Sequence, residues 1–263
     1  MAFDIREHTD RASAITPDDV DLAAFRDRPL GSHTIRWLQY LRNVERYTIR
    51  HLRDLLVTPS HTEPVVTEFL TGWAYQEFWL GETLDAIIAQ HEPRHVSAPG
   101  SSTVQRAVQE IRDRIGPVRQ SLLANLIGED FVAIHMAWAY VDAGVMSAAY
   151  RSAAGNGDHR QLAEIARRAA GLKESHRDFY AGQAVARLGR SARARTLARR
   201  TLTYLWRPPG AALHQRKETK FVLNHLFDAV EARSLDETLD TLPGLEGLRI
   251  VSSAMATFGV IRS

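Results

Sequence analysis

The sequence lacks cysteine entirely over its 263 residues. This absence excludes disulfide bonds, thiolate metal ligands, iron–sulfur clusters and a cysteine nucleophile. An excess of charge of one sign is also missing, because 33 Lys and Arg residues stand against 31 Asp and Glu residues. A formal net charge of +2 gives no general attraction to nucleic acid or to an anionic membrane. We therefore expect neither as a partner.

Long apolar runs are scarce as well. No stretch approaches the roughly 20 uncharged apolar residues that span a bilayer. The segment 1–19 carries acidic residues early and has no apolar run of the kind found in a signal peptide. We therefore expect a cytoplasmic protein, with one large domain or a domain with a substantial extension.

Alternating strand patterns and glycine-rich phosphate loops are missing too, whereas apolar residues recur at steps of three and four, which indicates helices. Helices are predicted at about 33–57, 62–90, 103–126, 129–154, 159–188, 191–206 and 218–232. The polar segment 1–30 is predicted to be a lead-in lying over the domain. The expected fold is all-α, with residues 31–188 forming a helical bundle and 189–263 a helical extension packed on it.

Several charged side chains fall on apolar stripes. Glu45 and Glu77 occupy stripe positions of the first and second predicted helices. Lys173 and His176 lie on or beside the inward face of the fifth. An isolated charge is too costly to leave unpaired inside a bundle. The sequence therefore predicts that these four side chains converge in the core.

Three segments and one residue carry a resemblance to a known family. Segment 73–82 resembles the second helix of ferritin-like diiron proteins, where a Glu-x-x-His pair supplies two metal ligands. Segment 173–180 resembles the last bundle helix of that superfamily, and 136–150 resembles the third ligand-bearing helix. Glu45 matches the first-helix glutamate. The resemblance implies a ferritin-like four-helix bundle.

The resemblance also shows which of the family's metal-ligand positions keep a ligand residue in this sequence. The family takes a Glu from each of two helices and a Glu-x-x-His from each of the other two. Three positions keep a ligand residue: Glu45, Glu77 and His176. The other three are occupied by Leu80, Ala143 and Lys173. Because an ammonium at a ligand position repels metal ions, we predict no bound metal and no other cofactor.

Three functions stay open on this evidence. The favoured one is a metal-independent enzyme of small-molecule metabolism, with Glu45, Glu77, Lys173 and His176 as catalytic residues for cyclisation, dehydration or isomerisation. Secondary metabolism is suggested because segment 206–248 resembles actinobacterial ferritin-like proteins of unassigned role. The second is a ferritin-like oxidoreductase with a residual iron or manganese ion. The third is a non-catalytic binding or scaffolding protein whose buried charges only specify packing.

The substrate pocket is predicted where the metals would have been. Its expected lining is aromatic, with one acid: Trp73, Tyr75, Trp79, Trp138, Tyr140 and Asp142. His135 is interpreted as a satisfied core residue. A homodimer contact is predicted on apolar residues of the extension: Phe221, Leu223 and Phe227.

Overall fold

The computed structural model describes residues 14–55, 58–91, 128, 130–155 and 159–260. Within these ranges the regular structure is entirely helical and no strand occurs, which confirms the all-α prediction. The predicted helix at 103–126 and residues 1–13 of the lead-in lie outside the described residues.

Nine α-helices occur in the described part of the chain. They are α1 (Leu22–Asp27), α2 (Ser32–Leu55), α3 (Pro64–Ile88), α4 (Asp130–Gly155), α5 (Arg160–Arg190), α6 (Ala192–Leu205), α7 (Arg216–Leu226), α8 (Ala229–Thr238) and α9 (Ile250–Thr257). Helices α2 to α6 begin and end within two residues of the predicted bounds. Helical periodicity was therefore sufficient to place them.

The helix predicted at 218–232 is wrong in one respect, because the structure divides it into α7 and α8. The break lies at Phe227 and Asp228. The Asp228 carboxylate accepts hydrogen bonds from the backbone N–H groups of Val230 and Glu231, each at 2.8 Å. This is N-capping geometry, so Asp228 begins a new helix instead of continuing the old one.

Helix α9 was not predicted. It is fixed by the buried Asp236 of α8, whose carboxylate accepts from the backbone N–H groups of Val251 at 2.8 Å and Ser252 at 3.0 Å. These N–H groups belong to the first turn of α9, where backbone donors lack partners within the helix. A side chain distant in sequence thus satisfies the start of this short helix.

The four long helices pack as two close pairs, α2 with α3 and α4 with α5. Helix α6 packs on α4 and α5, and α7 packs on α2 and α4. Helix α4 is therefore surrounded by other helices. By length and composition alone α4 could cross a membrane, which the sequence analysis did not anticipate, yet 83% of its most apolar window is buried in the protein. That burial is typical of a core helix in a protein that folds in water.

The described part of the lead-in lies against the helices. Ile15, Val20 and Phe25 are buried. The Thr83 hydroxyl of α3 donates to the Ile15 carbonyl at 2.8 Å, and the Phe25 ring stacks on His159 with ring centroids 4.2 Å apart. The segment therefore covers α3 and the start of α5 through both apolar and polar contacts.

The predicted dimer surface is wrong. Leu223 and Phe227 are buried inside the chain, and Phe221 is partly buried against the same core. Their apolar side chains face inward because α7 packs on α2 and α4. Leu223 and Phe227 are therefore not available for a contact with a second copy, and the homodimer itself stays a prediction.

Segment 207–213, which follows α6, is held over α2 by Tyr40. The Tyr40 hydroxyl donates to the Pro209 carbonyl at 2.8 Å, and its ring stacks on His214 with centroids 4.3 Å apart. Gly210 has a φ of +83°, and a Cβ built there would lie 2.6 Å from Cζ of Tyr40. Only glycine permits this close approach of backbone to ring.

We expect Gly210→Ala to lower the free energy of unfolding by about 1–3 kcal/mol, because it forces a side chain into the left-handed region and against Tyr40. Gly72→Ala serves as the matched control. A Cβ at Gly72 would meet nothing within 4 Å, and alanine in a helix interior is favoured over glycine by about 0.5–1 kcal/mol. Urea unfolding of both variants checks this, and equal stability of the two would contradict it.

Candidate functional site

A buried ion network joins α2, α3 and α5. The Lys173 ammonium donates to Oε2 of Glu45 at 2.7 Å and also to Oε2 of Glu77. All three side chains are at most 5% exposed. The structure thus brings together three of the four residues that the sequence placed in the core, with the ammonium between the two carboxylates.

Helix α4 contributes Tyr150, which the sequence analysis missed. Its hydroxyl donates to Oε1 of Glu45 at 2.7 Å. Both oxygens of Glu45 are therefore occupied by donors. A signal was available in the sequence, because Tyr150 follows Ala143 by seven residues and so lies on the same face of the helix.

Burial sets the protonation states of this network. Burial and the neighbouring Glu77 carboxylate raise the pKa of Glu45 well above its usual value, although Lys173 opposes them. Burial disfavours the Lys173 ammonium, but the two carboxylates outweigh that effect and raise the lysine pKa. Burial also raises the pKa of Tyr150 well above its usual value. The lysine is therefore charged and the tyrosine neutral, and Glu45 is the group that most readily takes up a proton.

His176 lies beside the network on α5. Its Nε2 is 2.7 Å from Oε1 of the buried Gln76, and its Nδ1 is 3.3 Å from Oε1 of Glu77. Burial and the Lys173 charge lower the pKa of His176 well below its usual value. A neutral imidazole has one donor and one acceptor nitrogen. His176 is therefore an uncharged neighbour of Glu77, and Gln76 holds its ring in place.

A cavity of about 590 Å³ opens next to this network. Glu77 and Lys173 form its charged end with the neutral His176 beside them, whereas Glu45 does not line the cavity. The walls come mainly from apolar side chains of α2 and α4, and segment 207–213 covers one side. Pockets of this size and composition suit small organic molecules.

Three of the predicted lining residues line this cavity: Trp73, Trp138 and Asp142. The other three do not, which corrects the prediction. Tyr75 is 55% exposed, because two residues turn about 200° around a helix from Trp73. Trp79 packs edge-on against the ring of Tyr75. The Tyr140 hydroxyl donates to the Thr238 carbonyl at 3.3 Å and accepts from Arg177 at 2.9 Å.

Asp142 is held in the cavity wall by two indole groups. Trp138 Nε1 donates to Oδ2 at 3.1 Å, and Trp206 Nε1 donates to Oδ1 at 2.8 Å. Burial raises the pKa of Asp142 to about 7, although both indole donors oppose the shift. Asp142 is therefore a carboxyl group that titrates near neutral pH inside the cavity.

Tyr180 of α5 is a further cavity-lining residue that the sequence analysis did not single out as a site residue. Burial, with help from the Glu77 and Asp142 carboxylates, raises its pKa well above the usual value. Its phenol is therefore neutral and can donate a hydrogen bond to a molecule in the cavity. The residue type alone gave no signal, because an aromatic side chain on a helix face is usually core.

The two iron ions that the family resemblance implies do not fit these residues. Among the described residues, no group of three or more His, Asp or Glu side chains is arranged to hold a metal ion. The ammonium of Lys173 lies between Glu45 and Glu77 instead. A side-chain cation here does what a metal would otherwise do, since it balances the two buried carboxylates.

No family model, curated protein or solved structure matches this chain. The functional interpretation therefore depends on the geometry and electrostatics of the cavity itself.

We expect Lys173→Met to lower the free energy of unfolding by about 3–5 kcal/mol, because it leaves two buried carboxylates without their cation. The triple variant Lys173→Met, Glu45→Gln, Glu77→Gln should recover most of this loss, since it buries no charge and keeps an acceptor for Tyr150. Denaturant unfolding of wild type and both variants measures the effect. A single variant as stable as wild type would contradict the ion network.

The raised pKa of Asp142 predicts that the free energy of unfolding depends on pH. Its carboxyl has an ordinary value of 3.8 when unfolded and about 7 when folded, so the folded state holds its proton longer. Its contribution to stability is therefore complete below about pH 4 and is lost as the pH rises to about 7. Asp142→Asn has no such titration, so its stability relative to wild type should increase across this range. A difference that stays constant with pH in urea unfolding would contradict the raised pKa.

Proposed function

We propose that this chain is an enzyme of small-molecule metabolism that performs acid–base chemistry in the cavity, without a bound metal. The observation that carries the proposal is the Glu45–Lys173–Glu77 network at the end of a largely apolar cavity of about 590 Å³. A network that only specified packing would need no such cavity beside it, because an interior without a ligand is packed closely.

Proton transfer is the chemistry that the lining groups support. A catalytic acid or base works best when its pKa lies near the working pH, and Asp142 meets this condition at about 7. His176 is a neutral imidazole 3.3 Å from Glu77. These groups give the cavity proton donors and acceptors on two sides, from α4 and from α3 and α5.

Lys173 supplies electrostatic stabilisation. An ammonium has three N–H donors, and Glu45 and Glu77 accept two of them. The third is available to an oxygen of a molecule in the cavity, where negative charge that develops on a carbonyl would be stabilised. Enolisation, dehydration, isomerisation and cyclisation of carbonyl compounds all develop such charge. Because the lysine stays protonated, imine formation is not part of this mechanism.

We also propose that the fold is a ferritin-like four-helix bundle with a helical extension and that the protein is cytoplasmic. Side chains from α2, α3, α4 and α5 meet in the Glu45–Lys173–Glu77 network, where Tyr150 of α4 is bonded to Glu45, as side chains meet at the metal site of that superfamily. The position of the ammonium between the carboxylates supports the metal-independent function over the oxidoreductase alternative. Secondary metabolism remains the suggested setting.

Deuterium uptake tests the proposed function without a known substrate. Wild-type protein is incubated in D₂O with a panel of uncharged aromatic ketones, aldehydes and alcohols, and mass spectrometry detects deuterium at carbon or a changed product. We expect wild type to act on members of the panel, and Lys173→Met and Asp142→Asn to lower the rate at least about a hundredfold, as loss of an electrostatic stabiliser or acid–base group does.

The control is the surface change Arg36→Lys. Arg36 forms an ion pair with Glu218 at 2.8 Å, and neither residue lines the cavity. Its activity should equal that of wild type. Activity that is unchanged in Lys173→Met and Asp142→Asn, with the fold intact by circular dichroism, would show that the network is structural and would overturn the enzymatic proposal.

A further inference from the structure

The far end of the cavity carries two histidines that the proposed mechanism does not use. His51 of α2 and His135 of α4 both line the cavity, and their ring centroids are 6.3 Å apart. His135 Nδ1 lies 2.9 Å from the buried Ser60 hydroxyl. His51 makes no hydrogen bond within the part of the chain that the structure describes. Two polar rings therefore meet at this end of the cavity.

Both rings are uncharged. Burial lowers the pKa of His51 to about 4, and burial together with His51 lowers the pKa of His135 to about 3. A neutral imidazole can donate from one nitrogen and accept on the other. This end of the cavity thus offers hydrogen bonds without charge, whereas the opposite end contains Lys173 and two carboxyl groups.

The two ends are separated by a defined length. His135 and Asp142 are seven residues apart on α4 and both line the cavity, so they lie on one face, about 10 Å apart at 1.5 Å per residue. Between them the wall includes Trp73 and Trp138. The His51 ring meets the Trp73 ring edge-on with centroids 6.0 Å apart. An elongated aromatic molecule matches this length and these walls.

We propose that His51 and His135 form a neutral hydrogen-bonding subsite, and that the cavity takes an elongated aromatic molecule with an uncharged hydroxyl or carbonyl group at each end. One polar group contacts the imidazoles, and the other contacts Tyr180, Asp142 and Lys173. This subsite belongs to the cavity of the proposed function and defines its substrate class. An anionic group is disfavoured at the charged end by the Glu77 and Asp142 carboxyl groups, both of which line the cavity.

Binding of rigid biphenyls tests the subsite independently of turnover. The probes are 4,4′-biphenol, 4-phenylphenol and 4-biphenylcarboxylate, titrated into the full chain by calorimetry. We expect 4,4′-biphenol to bind wild type about tenfold more tightly than 4-phenylphenol, since its second hydroxyl gains a hydrogen bond. The carboxylate should bind more weakly than both. Equal affinity of the two phenols for wild type would overturn the proposal.

Two substitutions locate the effect. His51→Phe keeps an aromatic ring against Trp73 but removes both nitrogens, and His51→Leu removes the ring as well. Either folded variant should bind the two phenols with about equal affinity, so failure of one to fold leaves the other as the test. His33→Leu is the matched control, because His33 is exposed and does not line the cavity, and it should keep the tenfold preference.

A tenfold preference that persists in a folded His51 variant would refute the subsite. The outcome is separable from that of the proposed function. If Lys173→Met and Asp142→Asn leave activity unchanged while the histidine-dependent preference is present, the chain is a binding protein with this subsite. If activity depends on those residues and the preference is absent, the enzyme has a substrate of another class.

Discussion

The structure depends on one buried interaction, the contact of the Lys173 ammonium with Glu45 and Glu77. Each of these charges would be strongly unfavourable alone in the core. Removal of one partner would leave the remaining charges buried without compensation, which destabilises the fold. The network therefore fixes how α2, α3 and α5 face one another, and Tyr150 adds α4 through Glu45. The cavity lies directly beside this charged centre, since Lys173 and Glu77 are among its lining residues.

The C-terminal extension is part of the site as well as part of the fold. Trp206, directly after α6, donates to Asp142 at 2.8 Å, and segment 207–213 covers the cavity while Tyr40 holds it at Pro209. Segment 207–213 thus covers the cavity that Asp142 lines, and Trp206 directly before it supplies one of the two indole donors. Exclusion of water raises the pKa of the carboxyl group more than the donors lower it. The covering of the cavity by this part of the chain and the raised pKa of Asp142 therefore go together.

Sequence periodicity predicted the helices and the convergence of charge but not the cavity lining. Apolar spacing determines which face of a helix is buried, so Glu45, Glu77, Lys173 and His176 could be placed inside. Apolar spacing does not distinguish a residue that lines the cavity from a residue on the outer side of the same helix. Trp73 and Tyr75 are two residues apart, yet only Trp73 lines the cavity. Gln76 and Tyr150 were missed because their roles depend on which helix lies opposite, which a single sequence does not contain.

The two ends of the cavity differ in charge for reasons that lie in their surroundings. At the Lys173 end, the Glu45 and Glu77 carboxylates outweigh burial and raise the pKa of Lys173, so the ammonium keeps its charge. At the His51 end no acid of the described ranges opposes burial, so burial lowers the pKa of both imidazoles and the rings are neutral. A cationic group at the histidine end would lose its hydration and gain no counter-ion, whereas a hydroxyl or carbonyl group would exchange water for imidazole at little cost. Desolvation therefore favours uncharged groups at the histidine end. The Lys173 end holds the charged and titratable groups on which the proposed acid–base chemistry depends.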